Sequence, residues 1–292
     1  MANLKEIRNR ITSVNSTMQI TSAMKMVSAA KLKRAQDAIT QLLPYANKLQ
    51  EIQVNLSASL DSSEGVYSQE REVKNVMFVA VTSNRGLCGG FNNNINKRVT
   101  ALAKEYTNAK VHFLAIGKKA QEFSKKNYET SNMEEIPTDL EKLYNDLNFK
   151  SVSEVAELIM KLYREEKVDK VVLVYNHFVN AANQTVMTEQ FLPIESIEVE
   201  ETATSNADYI FVPSKARIIE DIVPKSLKIH LYKGIRDSFA SEHGARMTAM
   251  HKATDNATEL RDQLKLTYNK ARQAAITNEI LEIVGGAEAL NN

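Results

Sequence analysis

The stretch Ser83–Asn92, SNRGLCGGFN, gathers the residues of this chain best suited to chemistry. Three glycines, an arginine and the sole cysteine follow an apolar run, Val76–Val81, and precede a polar segment able to start a helix. Strand, glycine-rich loop and helix form the setting in which backbone amides cradle a phosphate. The spacing argues otherwise. A phosphate loop needs G-x-x-x-x-G-K-[ST], and here no lysine follows before Lys97. The dinucleotide pattern needs G-x-G-x-x-G and an acidic residue about 20 positions on. Gly86, Gly89 and Gly90 give G-x-x-G-G, and Glu105 falls in an expected helix rather than at a second strand end. A structural or protein-contact loop is the better reading, with the glycines serving a tight turn or a close backbone approach.

Cys88 would act as a nucleophile only with a base in reach. His112 lies inside a strand candidate, and His177 ends another with no carboxylate in the same stretch. His243 and His251 are eight apart on a helix, on similar faces but about two turns apart, too far to share a metal. These four and His230 read as core or solvated histidines. The chain has no H-E-x-x-H, no cysteine pair and no carboxylate constellation, so no catalytic, cofactor-binding or metal-binding residue is expected. Cys88 reads as a small buried residue.

Two long helices must frame this loop. Apolar residues alternate at steps of three and four from Leu4 through Ile7, Ile11, Val14 and Met18, then from Leu32 through Ala35, Ile39, Leu42, Ala46, Leu49 and Leu56 to Leu60. Thr21, Lys25, Ser28 and Gln53 keep the phase, while Pro44 bends or interrupts the helix. Sustained heptads argue for a coiled coil that needs a partner. Met250, Ala253, Ala257, Leu260, Leu264, Thr267, Ala271, Ala274, Asn278 and Leu281 supply it, on a helix expected to start near Pro224 with about 60 residues. Two such helices separated by a domain pair antiparallel. Between them, strand candidates Val76–Val81, Val111–Ile116, Val171–Tyr175, Gln190–Ile194 and Tyr209–Val212 alternate with helix candidates Asn93–Glu105, Lys118–Lys126, Glu135–Leu147 and Val152–Glu166. That alternation predicts an inserted α/β, Rossmann-like domain with a mostly parallel sheet. The expected division is a helix over 1–60, the α/β domain over 61–208 and a second helix over 209–292. The Ser/Gly-rich linker Ser57–Ser68 marks the entry to this domain, and residues 201–208 mark the exit.

Composition excludes several classes. Net charge is +1, so no overall field points to nucleic acid. Residues 1–60 nevertheless carry eight Lys/Arg against three Asp/Glu, a basic segment able to face an acidic surface. One cysteine excludes an internal disulfide and fits a reducing compartment. No apolar run approaches about 18 residues, the length of a membrane span. The basic amphipathic start has the look of an organelle presequence, but its pattern runs on to residue 60 and belongs with the mature helix.

Three separated stretches, Ile7–Lys33 (IRNRITSVNSTMQITSAMKMVSAAKLK), SNRGLCGGFN, and Ser241–Leu290 ending in YNKARQAAITNEILEIVGGAEAL, resemble the gamma subunits of rotary F-type ATP synthases, of bacterial type. The resemblance covers essentially the whole chain. It implies a non-catalytic central-stalk rotor that couples ion-driven rotation of the c ring to conformational cycling of the catalytic beta subunits. The implied partners are alpha and beta subunits of the head, the epsilon subunit and the c ring, at the cytoplasmic face of a bacterial membrane. Carried over by motif, Met24 and Lys25 face an acidic loop of beta, Arg85 meets acidic residues of a head subunit, and Arg272 and Gln273 make polar contacts with beta in one rotational state. Epsilon and ring contacts fall around residues 200–232. Ile276, Ile280, Ile283 and Val284 form an apolar tip, to be held either in a hydrophobic sleeve or by coiled-coil packing. Two rival readings remain: a nucleotide-using α/β enzyme with helical dimerisation arms, and a homodimeric coiled-coil scaffold.

Overall fold

The computed structural model describes residues 4–57, 66–69, 71–128, 133–194 and 215–290. Among these residues, five α-helices and four strands run in the order α1 (Leu4–Ser57), β1 (Asn75–Val81), α2 (Phe91–Glu105), β2 (Lys110–Ile116), α3 (Lys118–Tyr128), α4 (Phe149–Arg164), β3 (Lys170–Phe178), β4 (Gln184–Leu192) and α5 (Lys215–Leu290). The chain folds as two compact units, Ala29–Arg246 and Met1–Ser28 with Met247–Asn292, so both long helices contribute to each. The domain limits expected at 60/61 and 208/209, and the strand expected at Tyr209–Val212, lie outside the described residues.

In the larger unit the sheet order is β2-β1-β3-β4, with β1 parallel to β2 and β3 and only β4 antiparallel. Central β1 is apolar from Val76 to Val81 because both of its faces are covered. Met77, Val79 and Val81 pack towards α4 and the Leu227–Ile235 stretch of α5. Val76, Phe78 and Ala80 pack towards α2 and α3. The buried Asp169 carboxylate accepts the amides of Lys74 and Asn75 and holds the chain as it enters β1. Asn148 caps α4 by accepting from the Ser151 amide at 2.8 Å. The helix expected over Glu135–Leu147 is only a 3-10 turn, Leu140–Tyr144. Pro137 and the turn-forming Asp139 and Asn145 interrupt it.

Here α5 touches α1 through Ile229 against Ala46 and Leu49, and it also touches the sheet. It is therefore buried on several sides, and glycines face the closest approaches: a Cβ at Gly234 would lie 3.0 Å from Leu173, one at Gly244 3.0 Å from Phe178. Neither proline ends its helix. Pro44 lies within α1 and Pro224 within α5, which starts at Lys215 and runs 76 residues rather than about 60. Pro44 is exposed, where water can satisfy the carbonyl that loses its donor.

The smaller unit is an antiparallel helix pair. The Arg8 guanidinium donates to the Tyr268 hydroxyl at 2.7 Å, and the Thr21 and Thr254 hydroxyls meet at 2.8 Å. Residue n of α1 thus lies opposite about residue 276−n of α5. Ile7, Thr21, Ser28, Met250 and Ala257 are buried as their phase requires. Beyond Ala257 the expected Leu264 and Ala271 stay half-buried, but alongside them face Arg261, Tyr268 and Ala275, each one place on from the expected Leu260, Thr267 and Ala274, which are exposed. A straight helix has 3.6 residues per turn, so a strict seven-residue pattern drifts off its face.

Candidate functional site

The loop after β1 is tied at almost every residue. The Ser83 amide donates to Asn92 Oδ1 at 2.9 Å, and Ser83 Oγ donates to the Arg85 carbonyl at 2.6 Å. Asn92 Nδ2 lies 3.2 Å from Cys88 Sγ. Asn84 bridges outward, donating to the Glu141 carbonyl and accepting from the Lys118 amide. From α5, Arg246 Nη2 donates to the carbonyls of Arg85 and Gly86 at 3.0 and 3.2 Å. Arg246 Nη1 meets Glu242 Oε1 at 2.5 Å, one turn away, with both side chains only 9% exposed. Burial raises the Glu242 carboxyl above its ordinary range, opposed by the charge and hydrogen bond of Arg246. Below the loop the Tyr144 hydroxyl donates to the Thr82 carbonyl, and its ring stacks on Phe239.

This geometry suits a clamp rather than a phosphate cradle. Two loop carbonyls turn towards a guanidinium, whereas a cradle turns amides towards an anion. Cys88 is buried against Phe91 and Ala245, and burial raises its thiol above the ordinary value, the reverse of what a nucleophile needs. The glycines do not serve a close approach to another helix. A Cβ at Gly86 or Gly89 would meet nothing within 4 Å, and at Gly90 only the Asn94 side chain. Gly89 instead supplies the turn, at φ +60°. Glu242 and Arg246 fall within the Ser241–Leu290 stretch, but the resemblance gave them no role, and Tyr144 carries no motif at all. The one sign of them is a charged pair four apart among the small residues of Ala240–Ala245.

The histidines are structural. His177 finds its carboxylate far along the chain, Asp237 of α5 at 2.5 Å, and His230 pairs with Glu189 at 2.7 Å. His243 is buried and His251 exposed, because eight helical residues leave them about 80° apart.

In the helix pair, Arg272 and Gln273 are exposed, and Met24 and Lys25 are half-buried beside exposed Met26 and Val27. Met24 and Lys25 lie opposite about residues 251–252, some 20 residues along α5 from Arg272, or roughly 30 Å. These two groups are therefore not one site. Every side chain from Ile276 to Ala287 is exposed, beyond the part of α5 that faces the described residues of α1. Ile276, Ile280, Leu281, Ile283 and Val284 stand 48% to 71% open. None of the described residues of α1 covers Ile276, Ile280, Ile283 or Val284.

A family model described as ATP synthase matches residues 3–290. The chain is 60% identical to the ATP synthase gamma chain of Christiangramia forsetii over 293 residues, covering 100% of both. It is likewise 60% identical to that of Flavobacterium johnsoniae over 292 residues, again covering 100% of both. The chain belongs to the ATP synthase gamma chains. It is thus a non-catalytic, central-stalk rotor subunit, whose working chemistry is contact rather than bond-making. Among solved structures, a chain of the Euglena gracilis mitochondrial ATP synthase superposes with a TM-score of 0.67 at 20% identity, covering 98% of this gamma chain and 94% of its own length. One from the Tetrahymena thermophila mitochondrial ATP synthase superposes at 0.59 and 22% identity, covering 80% and 99%. At that identity the likeness is one of fold. No described helix is long and apolar enough to cross a membrane.

Proposed function

We propose that this chain transmits rotation through three kinds of contact. The apolar end of α5 turns in a hydrophobic sleeve of the alpha–beta head. Polar groups at Arg272 and Gln273 engage beta in one rotational state. The Ser83–Asn92 loop, through Arg85, and the Met24–Lys25 stretch meet acidic surface of the head. The single observation carrying this reading is the α5 tip, where five large apolar residues stand open on a helix that no described residue of α1 covers. An exposed patch of that kind marks an interaction site, and its residues spread over roughly half of the helix circumference. Each contact must also break once per turn. Exposed ion pairs of low net worth suit Arg85, Lys25 and Arg272 to that task.

Epsilon and the c ring are assigned to the region around residues 200–232, most of which lies outside the described side chains. Its described end includes a groove of about 580 Å³ lined by Phe149, Lys150, Pro224, Lys225 and Lys228. The chain would then work as a peripheral subunit at the cytoplasmic face of a bacterial membrane, held there through the complex.

Co-expression with alpha and beta, followed by native mass of the product, tests the assembly. One copy per six head subunits is expected, whereas a stable homodimer alone would overturn it. Alanine at Arg272 and Gln273 tests the coupling. Unchanged assembly together with unchanged ATP-driven ion pumping would remove those two residues from the reading.

A further inference from the structure

Two non-glycine residues among those described have a left-handed backbone, Leu87 at φ 62° and Glu166 at φ 58°. Glu166 has a local cause. It follows α4, and the amides of Glu166 and Lys167 reach back to the carbonyls of Tyr163 and Leu162, closing the helix end. Leu87 closes no helix. It stands at the tip of the loop with 66% of its surface open, in a conformation disfavoured for any residue bearing a β-carbon. Its neighbour Gly86 lies outside the left-handed region and has open space where a Cβ would go. The loop therefore puts glycine where most residues would fit and leucine where glycine would be easiest.

The conformation is held from both sides. Arg246 and Ser83 hold the carbonyls at Arg85 and Gly86, and Asn92 holds Cys88. A lone exposed leucine means little. An exposed leucine fixed in a strained position by its surroundings does nothing for the folding of this chain, and such strain collects at functional sites.

We infer that Leu87 is a pre-set apolar knob that seats in a hydrophobic socket on the head subunit met by Arg85. This rests on the reading of Arg85 above. Exposed Arg85, and Lys118 whose amide is tied to Asn84, make the surroundings positive, so the socket should be rimmed by carboxylates. Holding the knob in place beforehand reduces the ordering cost of each encounter. A single small knob also releases readily, as a rotor requires.

The test uses the full chain and the alpha–beta head. Leu87→Gly relieves the backbone strain and removes the knob, Leu87→Gln keeps the strain and removes only the apolar surface, and Arg85→Ala probes the underlying contact. Expected are urea midpoints no lower than the parent's for both Leu87 variants, with affinity for the head reduced about tenfold, the loss expected from a leucine left half in water. Parent-like head binding by both Leu87 variants with weakened binding by Arg85→Ala overturns the knob and leaves the Arg85 contact standing. Parent-like binding by all three removes the loop from the interface altogether. A lowered urea midpoint for Leu87→Gly would make Leu87 a folding residue. A concentration-dependent dimer of the free chain that Leu87→Gln abolishes would make the socket part of a second copy. Either result overturns the proposal.

Discussion

Acidification should weaken this chain through His243, and glutamine at that position should remove the effect. His243 is 4% exposed, lies edge-on to Phe239 at 4.5 Å between ring centroids, and has no hydrogen-bond partner on either ring nitrogen. The groups around it are Lys31 of α1, Tyr144 stacked on Phe239, and Glu242 and Arg246 of α5. Burial above all, then the positive charges of Arg246 and Lys31, hold its pKa at about 3 against an ordinary 6.5. The native state therefore keeps the ring neutral while the unfolded chain takes up a proton below about pH 6.5. Stability from this group is complete above that value and is lost as pH falls towards about 3. At about pH 5 the gap of roughly 1.5 pH units corresponds to a loss of about 2 kcal/mol. Glu242 acts in the opposite sense, because its raised carboxyl takes up a proton more readily when folded. The comparison must therefore be a difference between two proteins. Urea unfolding of the parent and of His243→Gln at about pH 8 and about pH 5 should show the variant gaining about 2 kcal/mol relative to the parent on acidification. Parallel pH curves would refute the claim that His243 is held neutral by burial.

Arg246→Leu should cost about 3–5 kcal/mol, because it strands the Glu242 carboxylate in a buried site, and the double replacement with Glu242→Leu should recover much of that. Denaturant unfolding measures the stability, and amide exchange over residues 83–92 should accelerate in both variants as the clamp on the loop carbonyls is lost. Gly117→Ala should destabilise by more than about 3 kcal/mol, seen as a lowered thermal midpoint, since Gly117 sits at φ +99° and a Cβ would lie 2.2 Å from the Thr82 carbonyl oxygen. Ile280→Ser with Ile283→Ser should leave urea stability within about 0.5 kcal/mol and yet weaken head binding, measured by titration of the labelled chain. A double-mutant cycle on Thr21→Val and Thr254→Val should return a coupling of about 0.5–1.5 kcal/mol for the hydroxyl pair.

How legible each element was follows from how many neighbours decide it. Strands β1, β2 and β3 were plain as apolar runs because a strand covered on both faces can hold little else. β4, with Gln184, Thr185, Thr188, Glu189 and Gln190, was only partly visible, since an antiparallel edge strand has a half-open face. The helix expected over Glu135–Leu147 fails because local turn chemistry outweighs scattered apolar residues. In the proposed contact site, Arg85 came from the resemblance, and the α5 tip from the resemblance and from its run of apolar residues. Leu87 was not, because nothing in the string SNRGLCGG says that the left-handed position falls on leucine rather than on its neighbouring glycine.

The amino-acid string by itself determined the two heptad-bearing helices, their antiparallel pairing, the α/β insertion and the failure of the glycine loop as a phosphate site. These rest on periodicity and spacing, which local geometry turns into structure without further information. Tertiary structure alone decided the seam past Ala257, where Arg261 and Tyr268 replace Leu260 and Thr267, since residues one apart on a helix exchange faces with a small rotation. It alone joined Arg246 to a loop some 160 positions earlier, a contact that depends on α5 packing against the α/β domain. It also left the end of α5 uncovered, because the register of Arg8 on Tyr268 brings α1 to its end near Arg272.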